Sequence, residues 1–359
     1  MSESTSTSLR DTLPAVAILG AGAVTHLGRG LAEIASQLSH ENSLAHTQPA
    51  AGPGVTPKAV DDALLFDHDP KLNRKLRRAD RHVRMSCFAA LDAWPEMDAL
   101  NSMGNNNVGM IIASGFGPHQ RGFRFLDGLL DHGDQAASPT DFSHSVHGSA
   151  SAYISGLLEL RGPTFSITDF RAGFAQAVQL AQCWIQQHIC EQVLVGATEE
   201  LGAVLLSVAR QCLPPGTHYN AGEGSVFLLL GNCQNNPQAS LKIEASSQMT
   251  CELQNVDLLV GQDNAYLQQA NTTPAHVTFK THTSFADAMG DNASTLAFET
   301  LGSILAMNNP ALPIHRLNLN SPNVPTSTRP APVGNINSAM SYVSLAPMHS
   351  PSLLLTRNS

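Results

Sequence analysis

Gly162–Ala197 reads GPTFSITDFRAGFAQAVQLAQCWIQQHICEQVLVGA. Phe165-Ser166-Ile167 is a short β-prone run, and Val193-Leu194-Val195 is a second that closes at Gly196. Between them a helical segment spans Ala172 to His188, with Phe174, Ala177, Val178, Ala181 and Ile185 on one face. Strand, long helix and strand in that order form a crossover between parallel strands, with the apolar face of the helix laid on the sheet.

The same alternation extends outward. Upstream, Asn107–Ala113 is a buried-strand pattern and Ser149–Leu160 a helix of small residues ending at Gly162-Pro163. Further back, Ala15–Gly20 is an apolar run, followed by the glycine-rich turn Gly20–Thr25 and a helical pattern in Leu27, Leu31, Ile34 and Leu38. Thr25 stands where a dinucleotide fingerprint needs its third glycine, so these glycines are expected to serve a tight turn. Residues 41–65 form an exposed excursion. Downstream, Ser225–Leu230, Leu241–Ala245, Val256–Val260 and Ala275–Phe279 read as strands and Ser294–Met307 as an apolar-faced helix, while residues 308–335 are Pro- and Asn-rich and irregular. No fixed-period repeat is visible, so solenoids and propellers are not supported.

With 359 residues, 42% hydrophobic and 14% charged, the chain can bury a large core, and its low charge implies surface buried against another chain. The net charge of -9 gives no basis for binding nucleic acid as a whole. Residues 1–14 are a polar leader without an apolar signal core, and no run approaches the roughly 20 residues of a membrane span, so a soluble cytoplasmic protein is expected. Cys87, Cys183, Cys190, Cys212, Cys233 and Cys251 include no CxxC pair and read as buried thiols, with neither a zinc site nor a disulfide framework. His144, His147, His282 and His315 lack metal-ligand spacing, no metal or cofactor is implied, and Ser143, Ser145 and Ser149 lack the GxSxG elbow of a serine hydrolase. One segment runs against the acidic balance: Lys71, Arg74, Lys75, Arg77, Arg78, Arg81 and Arg84 place seven of the 20 basic residues in 14 positions. Such a cluster is either a solvated helix face with local carboxylates or a docking patch for an acidic partner.

The order and spacing of Ala17–Gly28 (AILGAGAVTHLG), Asn107–Gly117, Pro139–Gly162 (PTDFSHSVHGSASAYISGLLELRG), Gly162–Ala197 and Asn220–Leu230 (NAGEGSVFLLL) resemble the β-ketoacyl synthase family, over nearly the whole chain. The resemblance implies an α/β thiolase fold of two packed βαβαβ-type halves in five αβαβα layers. The boundaries are residues 15–235 for the first half and 236–359 for a shortened second half. It also implies an obligate dimer paired through strands around Pro163–Thr168.

The family's chemistry uses a Cys nucleophile, two His and a Lys. The family places its nucleophile 25 residues before the glycine equivalent to Gly196, which is Arg171 in this chain. A guanidinium stays protonated and has no lone pair with which to attack a thioester. The two His positions fall at Val260 and Asp287 and the Lys position at His282, with Lys280 two residues away. A scaffold without these groups resembles the family's chain-length factors, and its short second half is most similar to the ketosynthase-like partner in bacterial aryl-polyene pigment clusters. The expectation is a non-catalytic subunit that heterodimerises with an active ketosynthase and shapes its acyl pocket, with Phe174 as a wall residue. The resemblance further implies an acyl carrier protein docked on Lys71–Arg84. An ion pair between Arg171 and Asp287, or alternatively Asp169, is expected to fill the former site. An enzyme with an unconventional nucleophile and a homodimeric scaffold are the competing readings.

Overall fold

The computed structural model describes residues 13–44, 52–66, 69–95, 107–237, 239–246, 254–260, 277–314, 317–318, 321–325, 331–342 and 352–357. Among the described residues ten strands follow one another across a continuous sheet, which divides into two halves of five; the two-residue strand Gly28–Arg29 also pairs with the first of them. The first half is β1 (Val16–Thr25), β2 (Val108–Ser114), β3 (Thr164–Thr168), β4 (Gln192–Glu199) and β5 (Gly224–Gly231). The second is β6 (Leu241–Ser246), β7 (Gln254–Val260), β8 (Val277–Thr283), β9 (Ser338–Tyr342) and β10 (Ser352–Arg357).

Their spatial orders are β3-β2-β4-β5-β1 and β8-β7-β9-β10-β6. In both halves the order across the sheet is the third, second, fourth, fifth and first strand of that half in the chain. In both, the first three in space are mutually parallel and the last two antiparallel. The topology is therefore duplicated although the sequence shows no period. The halves join along a short antiparallel seam in which Val16, Ala17 and Ile18 face Ile243, Lys242 and Leu241. Central β2 and β4 are buried at every position, the pattern of strands covered on both faces.

The helices are α1 (Leu31–Leu44), α2 (Arg81–Ala93), α3 (His119–His132), α4 (Pro139–His144), α5 (Ser149–Leu158), α6 (Gly173–Gln186), α7 (Ala203–Cys212), α8 (Ala286–Met289) and α9 (Thr295–Asn308). α2 and α5 cover the outer face of the first half. The Asp80 side chain caps α2 by accepting the Val83 N–H at 2.9 Å. α6 and α9 lie between the halves, and each connects the third strand of its half to the fourth. On α6 the expected face, Phe174, Ala177, Val178, Ala181 and Ile185, is buried. α9 is buried from Thr295 through Met307, all the way round, as a helix between the two halves of the sheet must be. The links β6–β7 and β7–β8 include residues outside those described.

Several sequence expectations change. Gly20 and Gly22 do not make a turn, because β1 continues to Thr25. A Cβ on Gly20 would lie 2.1 Å from the Ala93 carbonyl oxygen, and one on Gly22 would lie 2.3 Å from that of Ala89. These glycines let α2 press its backbone onto the sheet. β4 likewise passes through Gly196 to Glu199. The excursion at 41–65 contains a strand, Gly54–Lys58, paired in parallel with His218–Gly222, and a helix, Asp62–Phe66. Among the cysteines, Cys87 and Cys190 are buried, Cys183 and Cys233 are partly buried and Cys212 is exposed; Cys251 lies outside the described residues.

Candidate functional site

The crossover turns from β3 into α6 at Asp169-Phe170-Arg171-Ala172. Arg171 holds a left-handed backbone, φ 74°, which costs a non-glycine residue about 1–2 kcal/mol. Its N–H donates to the Ala293 carbonyl at 2.6 Å, tying the turn to the start of α9. The guanidinium then meets one carboxylate in a fork: Nη1 donates to Asp291 Oδ1 and Nη2 to Asp291 Oδ2, each at 3.0 Å. The side chains are 17% and 5% exposed, so the pair is largely withdrawn from water.

Asp291 is held in turn from several sides. Thr295 Oγ1 donates to its Oδ1, its N–H donates to the Asn220 carbonyl at 2.7 Å, and its carbonyl accepts from Gly222 N–H at 2.8 Å and Tyr219 Oη at 3.0 Å. Burial opposes the charge on Arg171, and the adjacent Asp291 carboxylate more than offsets it, holding the guanidinium above its ordinary pKa. The helix dipoles treat the two ions differently. Asp291 at the amino end of α9 is favoured, whereas Arg171 at the amino end of α6 is disfavoured by about 0.3–1 kcal/mol and depends on its partner.

The expected Arg171–Asp287 pair does not form. Asp287 is exposed on α8, with its carbonyl accepting the Asn220 amide at 3.2 Å, and the facing carboxylate comes from the other side of Gly290. Asp169 instead accepts from Gln176 Nε2 at 2.7 Å. Val260 is fully buried at the end of β7, and His282 lies in β8 opposite Leu259. Phe174 is a buried core residue on α6, in one apolar cluster with Ile111, Ala113 and Val195. Close to the pair, Phe116 and Phe170 stack edge to face at 4.9 Å, and both are exposed.

Beneath this surface are buried acids that sequence reasoning passed over. Glu199 accepts from Gly115 N–H, from Phe116 N–H at 3.3 Å and from Ser294 Oγ at 2.7 Å, joining the β2–α3 loop to α9. Glu200 accepts Gln120 N–H at 2.9 Å and lies 3.6 Å from His119 Nδ1. Burial outweighs these hydrogen bonds and pushes Glu199 up to about 7 and Glu200 up to about 8. Fully buried His82 is pushed down to about 3. The only signal in the sequence was an acidic pair directly after an apolar strand. His144 is bound locally, to the Thr140 carbonyl at 2.7 Å and Tyr153 Oη at 2.9 Å, and His315 lies outside the described residues. Among the described residues no group of His, Cys, Asp and Glu is placed to hold a metal, and no helix is long and apolar enough to cross a membrane.

The basic segment divides in two. Arg81 turns inward to Glu223, Asp62 and the Val60 carbonyl, and Arg84 to the carbonyls of Leu65, Leu76 and Ala79. Lys71, Arg74, Lys75, Arg77 and Arg78 remain exposed. The first four line one open groove.

Comparison with known proteins places these features in a family. Residues 70–277, more than half the chain, match the model for "Beta-ketoacyl synthase, N-terminal domain". A 3-oxoacyl-[acyl-carrier-protein] synthase 2 from Coxiella burnetii is 26% identical over 197 residues, which is 51% of this chain and 45% of that protein. The chain thus spans about half the length of the curated relative it matches. Two solved structures share the fold over almost the whole chain. One is AntDE:AntF, a type II polyketide synthase acyl-carrier protein in complex with its ketosynthase bound to the hexaketide (TM-score 0.68, 15% identity, 95% of this chain and 99% of that one). The other is the ketosynthase ApeO in complex with its chain length factor ApeC from Xenorhabdus doucetiae (TM-score 0.66, 14% identity, 96% and 98%). The duplicated five-strand halves with two helices between them are the thiolase fold, and with the matched residues running from the basic segment through the Arg171 turn to β8, the chain belongs to the β-ketoacyl synthase family.

Proposed function

We propose that this chain is a non-condensing, ketosynthase-like subunit that pairs with an active ketosynthase, in the manner of a chain-length factor, and helps to form the pocket for a growing acyl chain. The observation that carries the reading is the Arg171–Asp291 pair. At the turn from third strand to buried helix, where the family resemblance calls for a thiolate, there is a cation with no nucleophilic lone pair, and it is occupied by a carboxylate. Val260 adds hydrocarbon where the resemblance calls for an imidazole. Hydrocarbon offers no N–H to the enolate that forms when a malonyl group loses carbon dioxide, and the guanidinium that could offer one is already directed to Asp291.

A partner subunit is supported by the surface beside the pair. β3 is an edge strand of the sheet, and Phe165 on it is exposed along with Phe116, Phe123, Phe142, Val146 and Phe170. An uncovered edge with exposed aromatics is a surface made to be covered. The named complexes of a ketosynthase with its chain length factor and with its carrier protein, which share this fold, favour those two partner classes. Polyketide, polyene or fatty-acid-like synthesis is the corresponding setting, with the aryl-polyene pigments as its narrowest form.

The test has two parts. The purified chain alone should release no carbon dioxide from a malonyl-loaded carrier protein and take up no acyl label. Co-expressed with an active type II ketosynthase, it should elute from gel filtration as a one-to-one heterodimer. Acyl uptake by the isolated chain would establish an enzyme with an unconventional nucleophile, and a stable homodimer that ignores the ketosynthase would establish a scaffold.

A further inference from the structure

α3 is 14 residues long, yet none of them is buried. Phe123, Leu126 and Leu130 are exposed, and its principal neighbours are the short α4 and the single turn Asp134–Ala136, neither of them part of the sheet. Apolar burial therefore does little to hold this helix to the body. Polar bonds hold it instead. In its first turn Gln120 donates its N–H to Glu200 Oε1 at 2.9 Å, and its Nε2 to Glu200 Oε2 at 3.2 Å and to the Leu201 carbonyl at 3.1 Å. Arg121 meets Asp80 Oδ2 at 3.4 Å and the Asp141 carboxylate of α4, which Arg124 also approaches at 3.5 Å. Gly117 (φ 59°) and Gly133 (φ 80°), both in the left-handed region open to glycine, bracket the helix. An element between two such pivots, fastened near one end by a few polar bonds, can open while the rest of the fold stays intact.

The fastening at Glu200 depends on a proton. Glu200 follows β4 and is buried, and the charges that act on it are acidic: Asp80 at the cap of α2 and Glu223 before β5. The cations nearby are directed elsewhere, Arg121 to Asp80 and Asp141, Arg81 to Glu223 and Asp62. Among the described residues no Lys or Arg pairs with Glu200 itself. Its ionisable contact is His119 on α3, 3.6 Å away, and burial pushes that imidazole down, toward the neutral form. His82 on α2, within the field of His119 and His147, is neutral as well. With α3 in place the Glu200 carboxyl keeps its proton up to about pH 8; once α3 lifts, water reaches the group and its value returns toward 4.5. Opening then releases a proton, so rising pH favours the open form.

We propose that α3 is a displaceable arm, pivoting at Gly117 and Gly133 and latched by the protonated carboxyl of Glu200, which alkalinity releases. Phe123, Leu126 and Leu130 are thereby presented on a rigid support when the latch is shut and on a mobile one when it is open.

The experiment follows amide hydrogen exchange in the full chain at about pH 5.5, 6.5 and 7.5, for wild type, E200Q and E200L, with each rate divided by the intrinsic rate at that pH. In wild type the protection of α3 amides should fall by about eightfold per pH unit, since the closed form retains a proton that the open form loses across this range. Amides of β2 and β4, which open only with the whole fold, should stay far better protected at every pH. E200Q can accept the same N–H and has no proton to lose, so α3 should be protected and indifferent to pH. E200L keeps the bulk and lacks the acceptor, so α3 should be poorly protected and again indifferent to pH. A cooperative melt establishes that each variant is folded, and either one alone reads the slope if the other is not. Wild-type protection that is flat with pH, a slope that persists in the variants, or α3 amides as slow as those of β2 would each overturn the latch.

Discussion

Arg171 and Asp291 are best tested as a unit, because the two ions share one largely buried fork. D291N leaves a buried guanidinium facing a neutral amide, and should lower unfolding free energy by about 3–5 kcal/mol in urea titrations. The double replacement R171M/D291L removes both charges and should cost far less than the sum of R171M and D291N. A loss below about 1 kcal/mol for D291N would mean that the pair is solvated and contributes nothing. Arg171 was legible in the sequence, since the turn before the helix Gly173–Gln186 was marked by a plain count back from Gly196. Asp291 was not. The four-residue helix Ala286–Met289 and the left-handed Gly290 (φ 87°) reverse the chain there, so a linear count stops at Asp287 on the wrong side of the bend.

Among the elements, β1 and α2 show how a correct pattern can carry a wrong reason. The glycines at 20 and 22 were visible, and so were the strand before them and the helical spacing after them. Invisible was a helix more than sixty residues later whose carbonyls need the space of two missing Cβ atoms. G22A should destabilise the fold by about 1–3 kcal/mol, because the Ala89 carbonyl is backbone and can retreat only if α2 moves. A melting temperature equal to wild type would show that α2 shifts freely. Strands buried on both faces were read from apolar runs, β2 within one residue at each end and β4 at its start, while its end continues past Gly196 to Glu199. The amphipathic α3, with Phe123, Leu126 and Leu130 exposed, was missed because its apolar side has no core beneath it and faces outward.

Across the whole molecule, buried carboxyls set a dependence on pH. Folding raises Glu199, Glu200 and Glu299 from 4.5 to about 7, 8 and 7, mainly by burial, so the folded chain keeps protons that the unfolded chain has released. Their contribution is complete below pH 4.5 and is lost as pH rises through 7 to 8. His82 works at the other end. Neutral when folded, with a value near 3 against 6.5, it costs stability as pH falls below 6.5. The melting temperature should therefore fall between about pH 6 and about pH 8.5, and E299Q should flatten that fall, since the amide has no proton to lose and its oxygen can still accept from the Ser284 hydroxyl or the Phe285 N–H. A melting temperature that climbs over this range would show that these acids ionise without cost.

The winding shared by the two halves carries a consequence for how such a centre can be emptied. α6 and α9 are counterparts, so the molecule has an approximate two-fold axis running between their amino ends. A strictly symmetric protein can set only identical groups across such an axis, cation against cation or acid against acid, and these repel. Attraction at that spot requires the two lobes to have become chemically unlike there, so a change on one lobe has to be answered by a complementary change on its twin.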